Sequence, residues 1–128
     1  MTKPERREAI NIEVETAYLP DQSDPSAPRY VFAYTITIRN NGSVPATLLT
    51  RRWVITDANG KVREVAGEGV VGEQPVIPPG ATHRYSSGAV IETPVGVMEG
   101  SYGMVTEDGV SFPAPIPVFR LAVPGILN

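Results

Sequence analysis

Residues 29–40, RYVFAYTITIRN, decide the fold class of this chain. Its large apolar side chains recur at every second position, at Tyr30, Phe32, Tyr34, Ile36 and Ile38. A period of two that is carried by aromatic and β-branched residues is typical of a β-strand that presents one face to a core. The polar run NNGSVP ends the pattern. The stretch therefore predicts a long strand at the centre of a β-rich fold.

The same period recurs on both sides of this strand. In INIEVETAYL, which starts at Ile10, apolar and polar residues alternate, as they do in a half-buried antiparallel strand. ATLLTRRWVITD predicts a further strand in which Leu49, Trp53 and Ile55 face inward. Asn59-Gly60 and Asp108-Gly109 each predict a tight hairpin, because such turns need residues with positive φ.

The segment FPAPIPVF carries proline at alternate positions, Pro113, Pro115 and Pro117. Alternate backbone N–H groups of a strand point toward the same neighbour, and proline has no N–H to donate. One side of this segment therefore has no hydrogen-bond donors from Pro113 to Pro117. We expect a strand that pairs on one side only and lies at the edge of a sheet.

These patterns predict an all-β fold of about seven to eight short strands in an antiparallel β-sandwich. A barrel is the alternative. No window shows a 3.6-residue apolar period, and 12 glycines and 13 prolines supply frequent turns. Residues 1–8 carry charge without an apolar pattern and are predicted to be a flexible N-terminal arm. Residues 9–128 are predicted to form a single domain.

Composition excludes several classes of function. The chain has 128 residues and no cysteine, so disulfides, thiolate metal sites and thiol catalysis are ruled out. A net charge of −3 and a pI near 5.1 do not fit a nucleic-acid-binding protein. No apolar run approaches the ~20 residues of a membrane helix, and the charged start does not resemble a secretory signal. The expected location is the cytoplasm.

Five blocks of sequence carry a family resemblance: RYVFAYTITIRN, RRWVITDANGK, GEGVVGEQPVIPPG, YSSGAVIETPVGVMEGSYGM and PIPVFRLAVP. Together they resemble the bacterial ApaG family from about Ile10 to Asn128. The resemblance implies a fibronectin type III or immunoglobulin-like sandwich and a link to cobalt resistance and magnesium efflux, without an established biochemical activity. Related domains in larger eukaryotic proteins, including F-box proteins and a DNA-polymerase-interacting protein, are thought to mediate protein contacts. The resemblance supplies no catalytic residue.

One motif points to a ligand. Gly67, Gly69 and Gly72 have the G-x-G-x-x-G spacing of a dinucleotide-binding turn, and the ApaG family carries this GEGVVG motif. That fingerprint needs a helix after the glycines, to hold the pyrophosphate at its N-terminus. The prolines of EQPVIPPG forbid such a helix. We therefore expect the glycines to form a bulge or a crossover between the two sheets.

Phosphate binding without a helix stays open, because successive N–H groups of a turn can bind an anion. Three glutamates flank the glycines and oppose this, and the nearest cations in sequence are Lys61 and Arg63. The alternating pattern places Arg51 and Arg52 on opposite faces of their strand, which disfavours a two-arginine clamp.

His83 is the only histidine and is predicted to lie at the surface or on an edge strand. A zinc site would need carboxylates such as Glu92 or Glu99 brought to it by folding. Ser87 lies four residues further along the strand, about 13 Å away, which is too far for proton transfer. We therefore predict no catalytic residues, no metal site and no cofactor.

The leading hypothesis is a non-catalytic binding module with an unidentified protein partner. The second is a nucleotide or pyrophosphate binder that uses the glycine loop. The third is a protein that responds to divalent metals, through weak binding or indirect regulation. No nucleic-acid partner and no membrane span are expected.

Overall fold

The computed structural model describes residues 9–126, and nearly all of their regular structure is β. The strands are β1 (Ile10–Tyr18), β2 (Tyr30–Asn40), β3 (Ala46–Asp57), β4 (Val62–Glu68), β5 (Val76–Ile77), β6 (Thr82–Ile91), β7 (Val95–Thr106) and β8 (Ser111–Ala122). Within residues 9–126 the only helical element is the 3-10 turn Pro20–Gln22. The predicted arm, residues 1–8, lies outside the described residues.

The strands form two antiparallel sheets. One has the order β1-β2-β6, and the other has the order β4-β3-β7-β8, with β5 also paired to β3. Buried apolar residues from the two sheets make one core, among them Phe32 and Ile36 of β2 and Trp53, Met98 and Leu121 of the other sheet. The predicted all-β antiparallel sandwich is confirmed. Its closer assignment as fibronectin type III-like or immunoglobulin-like stays a prediction.

The period of two holds along β2, where Phe32, Tyr34, Ile36 and Ile38 are all buried. On β3 it holds for Trp53 and Ile55 but not for Leu49, and the prediction that Leu49 faces inward is wrong. The pairing of β3 with β7 shifts register between Leu48 and Thr50. This irregularity reverses the alternation, so that Leu48 is fully buried and Leu49 is 36% exposed.

The two sides of the sandwich differ. On one side β1 and β8 pack against each other, and β8 is an edge strand that pairs only with β7, as the three prolines predict. On the other side lie the edge strands β4 and β6. Side chains bridge them there: Arg63 Nη2 donates to the Val90 carbonyl at 3.1 Å, and Lys61 pairs with Glu92 at 3.2 Å. We call the β4–β6 side the open side.

Candidate functional site

The glycine loop joins β4 to β5, and both strands pair with β3. Of the two predicted alternatives, the crossover between sheets is wrong, because the chain stays within one sheet and residues 69–75 bulge out between two segments that pair with β3. The loop turns at Val71 and Gly72, whose φ values are 49° and 77°. Val70 and Glu73 exchange backbone hydrogen bonds of 2.8 and 3.0 Å across this turn. Two positive φ values between such a pair are typical of a type I′ hairpin turn.

Half of the six backbone N–H groups of residues 69–74 donate to acceptors within the protein. Besides the Val70–Glu73 pair, the Gly69 N–H donates to the Leu49 carbonyl at 2.8 Å. A phosphate-binding turn instead directs its N–H groups toward the anion. Three N–H groups of this loop thus have protein acceptors, which leaves fewer donors for a phosphate in this conformation.

A guanidinium lies directly beneath the loop. Arg51 Nη1 donates to the carbonyls of Glu68 and Gly69 at 2.9 and 3.0 Å. A Cβ added to Gly67 would lie 3.0 Å from the Arg51 guanidinium nitrogens, so glycine at this position lets the arginine approach the backbone. Lys61 and Arg63 are the cations nearest to the glycines in sequence, and the Arg51 contact was not predicted. Arg51 shares the parity of the buried Trp53, and that inward parity was the available signal.

Arg51 forms part of the wall of a cavity that we call the slot. The slot lies between the glycine loop and β6 and has a volume of about 270 Å³. It is lined by Tyr34, Arg51, Trp53, residues 70–72 and residues 85–87. On β6, Tyr85 is half-buried, and Ser86 and Ser87 are exposed. The slot therefore combines one guanidinium with hydroxyl groups on an aromatic base.

That aromatic base is fixed by close packing. The Trp53 ring makes edge-on contacts with Tyr34, Tyr102 and Phe119, with centroid separations of 5.3, 6.4 and 5.8 Å. The Tyr85 and Tyr102 hydroxyls hydrogen-bond to each other. Burial raises the pKa of Tyr85 to about 12 and also raises the pKa of Tyr102. Both phenols are therefore neutral near pH 7 and act as hydrogen-bonding groups.

One buried donor of a residue that lines the slot has no acceptor. Trp53 is 2% exposed, and among the described residues no group accepts a hydrogen bond from its Nε1, which has almost no accessible surface. Buried polar groups normally have a partner, and an unpaired one costs about 1–3 kcal/mol. The predicted core position of Trp53 is confirmed, whereas the unpaired indole N–H has no signal in the sequence.

The other candidate residues are dispersed. His83 lies on the edge strand β6, as predicted, and its Nε2 is buried without a partner among residues 9–126. Arg52 points away from Arg51 and pairs with Glu64, as expected from the alternation. Across the described part of the chain, no three His, Asp or Glu side chains meet in a group that could hold a metal ion. No helix in that part is long and apolar enough to cross a membrane.

Comparison with known proteins identifies the family of this chain. A family model described as the ApaG domain matches residues 20–106. The chain belongs to the ApaG domain family. "Protein ApaG" of Thiobacillus denitrificans is 65% identical over 119 residues, which cover 93% of this chain and 94% of that protein. "Protein ApaG" of Pseudomonas aeruginosa is 60% identical with the same coverage.

A solved structure of an ApaG relative has the same architecture. A protein of Bordetella pertussis, described as a putative ApaA protein, superposes with a TM-score of 0.92 at 47% identity. The match covers 94% of this chain and 98% of the other. The ApaG fold thus extends over almost the whole of both chains.

Gly69→Ala tests whether the glycine loop is primarily a turn. Gly69 has φ +64°, and an added Cβ would lie 2.9 Å from the Glu73 carbonyl carbon and closer still to its oxygen. We expect the free energy of unfolding to fall by about 2–4 kcal/mol, from the positive φ and the backbone clash together. Urea denaturation measures this loss.

Gly72→Ala is the matched control, since Gly72 has φ +77° but open space around a Cβ. It should lose only about 1 kcal/mol, from the positive φ alone. Suppose instead that the wild type bound ATP at micromolar strength and a still-folded Gly69→Ala did not. The loop would then be a phosphate site rather than a turn.

Proposed function

We propose that the chain is a non-catalytic binding module that takes a protein partner at the open side of its sandwich. The observation that carries this proposal is the difference between the two sides. The β8 edge is blocked by proline, whereas β4 and β6 end their sheets and contain no proline. Sheet edges with backbone N–H donors are where many modules add or clasp an extended segment of a partner.

Exposed apolar side chains support the same location. Val62 and Val65 on β4, Val71 in the glycine loop and Val76 on β5 are all exposed. These elements border one another along β3. Val62 and Val65 lie on opposite faces of β4, across from Thr56 and Trp53 of β3, so exposed apolar groups border both faces of this edge and can contribute to a binding area there. A cleft of about 280 Å³ between β4 and the end of β6 adds concavity to the open side.

The link to cobalt resistance and magnesium efflux, implied by the family resemblance, enters this proposal as an indirect role. The module acts on that process through the protein it binds. The two relatives described above are both named "Protein ApaG", and that name assigns neither an enzymatic activity nor a partner.

Site-specific photo-crosslinking in the chain's own host cells tests the proposal. A photoreactive residue replaces Val62 in one variant and Val118 in another, with exposures of 58% and 64%. Val62 lies on the open side, whereas Val118 lies on the proline-rich edge strand. We expect a discrete adduct with another protein from position 62 and none from position 118.

Adducts from position 118 alone, or none from either position, would contradict the proposed surface. An adduct that contains only a second copy of the chain would replace the partner protein with self-association.

A further inference from the structure

We propose that the slot binds a carboxylate of the partner, either a peptide C-terminus or an acidic side chain. The proposal rests on the proposed function, because the slot opens on the same side as the β4 and β6 edges. It names the chemical group that the partner presents there. Two features of the slot carry it: the N–H donors that Arg51 does not use within the chain, and the volume.

Arg51 has donors to spare. Its Nη1 contacts two backbone carbonyls, and a guanidinium has five N–H donors in all. Within residues 9–126, this half-buried guanidinium donates to backbone carbonyls and forms no ion pair with a carboxylate. A carboxylate matches its planar geometry and adds charge-assisted hydrogen bonds.

The other walls of the slot fit the same group. Trp53 lines the slot that Arg51 borders, although its unpaired Nε1 has almost no accessible surface. A carboxylate has two oxygens and about four acceptor sites, enough to serve a guanidinium and a second donor together. Ser87, on the opposite wall, adds a hydroxyl that can donate to the same group.

Charge and volume favour a carboxylate over a nucleotide. One guanidinium balances one negative charge, whereas the exposed Glu68 and Glu73 of the loop repel a polyphosphate. The volume of about 270 Å³ lies just below the ~300–1,000 Å³ typical of sites for drug-sized ligands. It suits a single side chain or the end of a peptide.

The indole provides a direct readout, because Trp53 is the only tryptophan of the chain. Its side-chain N–H gives one resonance in a nitrogen–proton correlation spectrum. The probes are N-acetyl-trialanine with a free carboxylate, the same peptide as an amide, the amide of N-acetyl-Ala-Glu-Ala, and pyrophosphate. We expect a saturable shift of the indole resonance with at least one of the two carboxylate peptides and none with the trialanine amide. A shift with N-acetyl-trialanine indicates a peptide C-terminus as the ligand, whereas a shift with the amide of N-acetyl-Ala-Glu-Ala indicates an acidic side chain.

Two adjacent arginines give a matched pair of variants. Arg51→Gln should weaken the carboxylate interaction by roughly tenfold or more, as expected for loss of a charged hydrogen-bond partner. Arg52→Gln, which removes the same charge from the opposite face, should stay within about twofold, since exposed charges contribute little. Because Arg51 also contacts the loop carbonyls, Ser87→Leu serves as a second variant that fills the slot from β6. It should abolish the shift in a chain with an unaltered loop.

Equal weakening by Arg51→Gln and Arg52→Gln, an indole that responds only to pyrophosphate, or no response to either carboxylate would overturn the slot proposal. These results are separable from the crosslinking experiment. If position 62 forms adducts but the indole resonance does not shift with either carboxylate peptide, the proposed function stands. Only the proposal that the slot binds a carboxylate is then rejected.

Discussion

Replacing Gly100 with alanine is expected to cost about 3–5 kcal/mol of unfolding free energy, a large fraction of the roughly 5–15 kcal/mol typical of a folded domain. Gly100 lies in β7 opposite Trp53 of β3. An added Cβ would lie 3.1 Å from the Arg52 carbonyl carbon, 3.2 Å from the Trp53 Cα and closer still to the Arg52 oxygen. All three are backbone atoms of a central strand, so no side-chain rotation relieves the clash. Urea denaturation, or loss of soluble yield, measures the effect.

Gly88→Ala is the control for this prediction. Gly88 lies in the edge strand β6, and the nearest atom to an added Cβ is the Phe32 carbonyl oxygen at an ordinary 3.6 Å. Its φ lies outside the positive range, so alanine should change stability by no more than about 1 kcal/mol, in the stabilising direction if at all. Equal stability of the two variants would mean that β3 and β7 do not approach as closely as described.

Gly100 illustrates what sequence alone could not provide. The alternation of β2 and the turn signals Asn59-Gly60 and Asp108-Gly109 are local, and the structure confirms the strand and both hairpins. The demand for glycine at position 100 comes from a neighbouring strand almost fifty residues away. No sequence pattern within β7 shows how closely β3 approaches Gly100.

β-Bulges are a second reason why the alternating pattern cannot predict every buried residue. A period of two predicts faces only while every residue of a strand has one partner. The register shift between Leu48 and Thr50 breaks this rule, and it moved Leu49 from the predicted inner face to the surface. The alternation beyond the shift is intact, which is why Trp53 and Ile55 were placed correctly.

In the candidate site, too, the local features could be predicted from the sequence, whereas the contacts between strands could not. The glycine spacing was visible, and the following prolines correctly excluded a helix. The contact between Arg51 and the loop carbonyls depends on how β4 lies against β3 and on the return of the chain at Gly69. The position of Arg51, a single arginine on the same strand face as buried residues, could have predicted this contact. A charged side chain on an inner face is rarely buried unless another group pairs with it.

Asn40 was not singled out by the sequence, yet it is the most extensively hydrogen-bonded buried side chain in residues 9–126. It is fully buried, and its amide nitrogen donates to the carbonyls of Val44 and Ile77 at 2.9 and 2.8 Å. Its amide oxygen accepts from the Gly42 N–H at 2.8 Å. One side chain thus ties the end of β2 to the following loop and to β5.

Asn40→Asp is expected to lower the free energy of unfolding by about 3–5 kcal/mol at pH 7, the range for a buried charge without a partner. The substitution keeps the shape and replaces two N–H donors with an acceptor that faces two carbonyl oxygens. Burial and these oxygens raise the pKa of the new carboxyl in the folded state above its value of about 3.9 in the unfolded state. Stability then falls as pH rises from about 4 toward the raised pKa, because the folded state binds more protons in that interval.

Asn41→Asp is the control, since it makes the same change one residue later at an exposed position. It should stay within about 0.5 kcal/mol of the wild type across the same pH range. Urea denaturation of the three chains between pH 3.5 and pH 8 separates the two cases. In acid, the protonated carboxyl of Asn40→Asp can donate to one of the two carbonyls, so its deficit should shrink there. A deficit that is equal at both ends of the pH range, or equal in the two variants, would contradict the hydrogen-bonded role of the Asn40 amide.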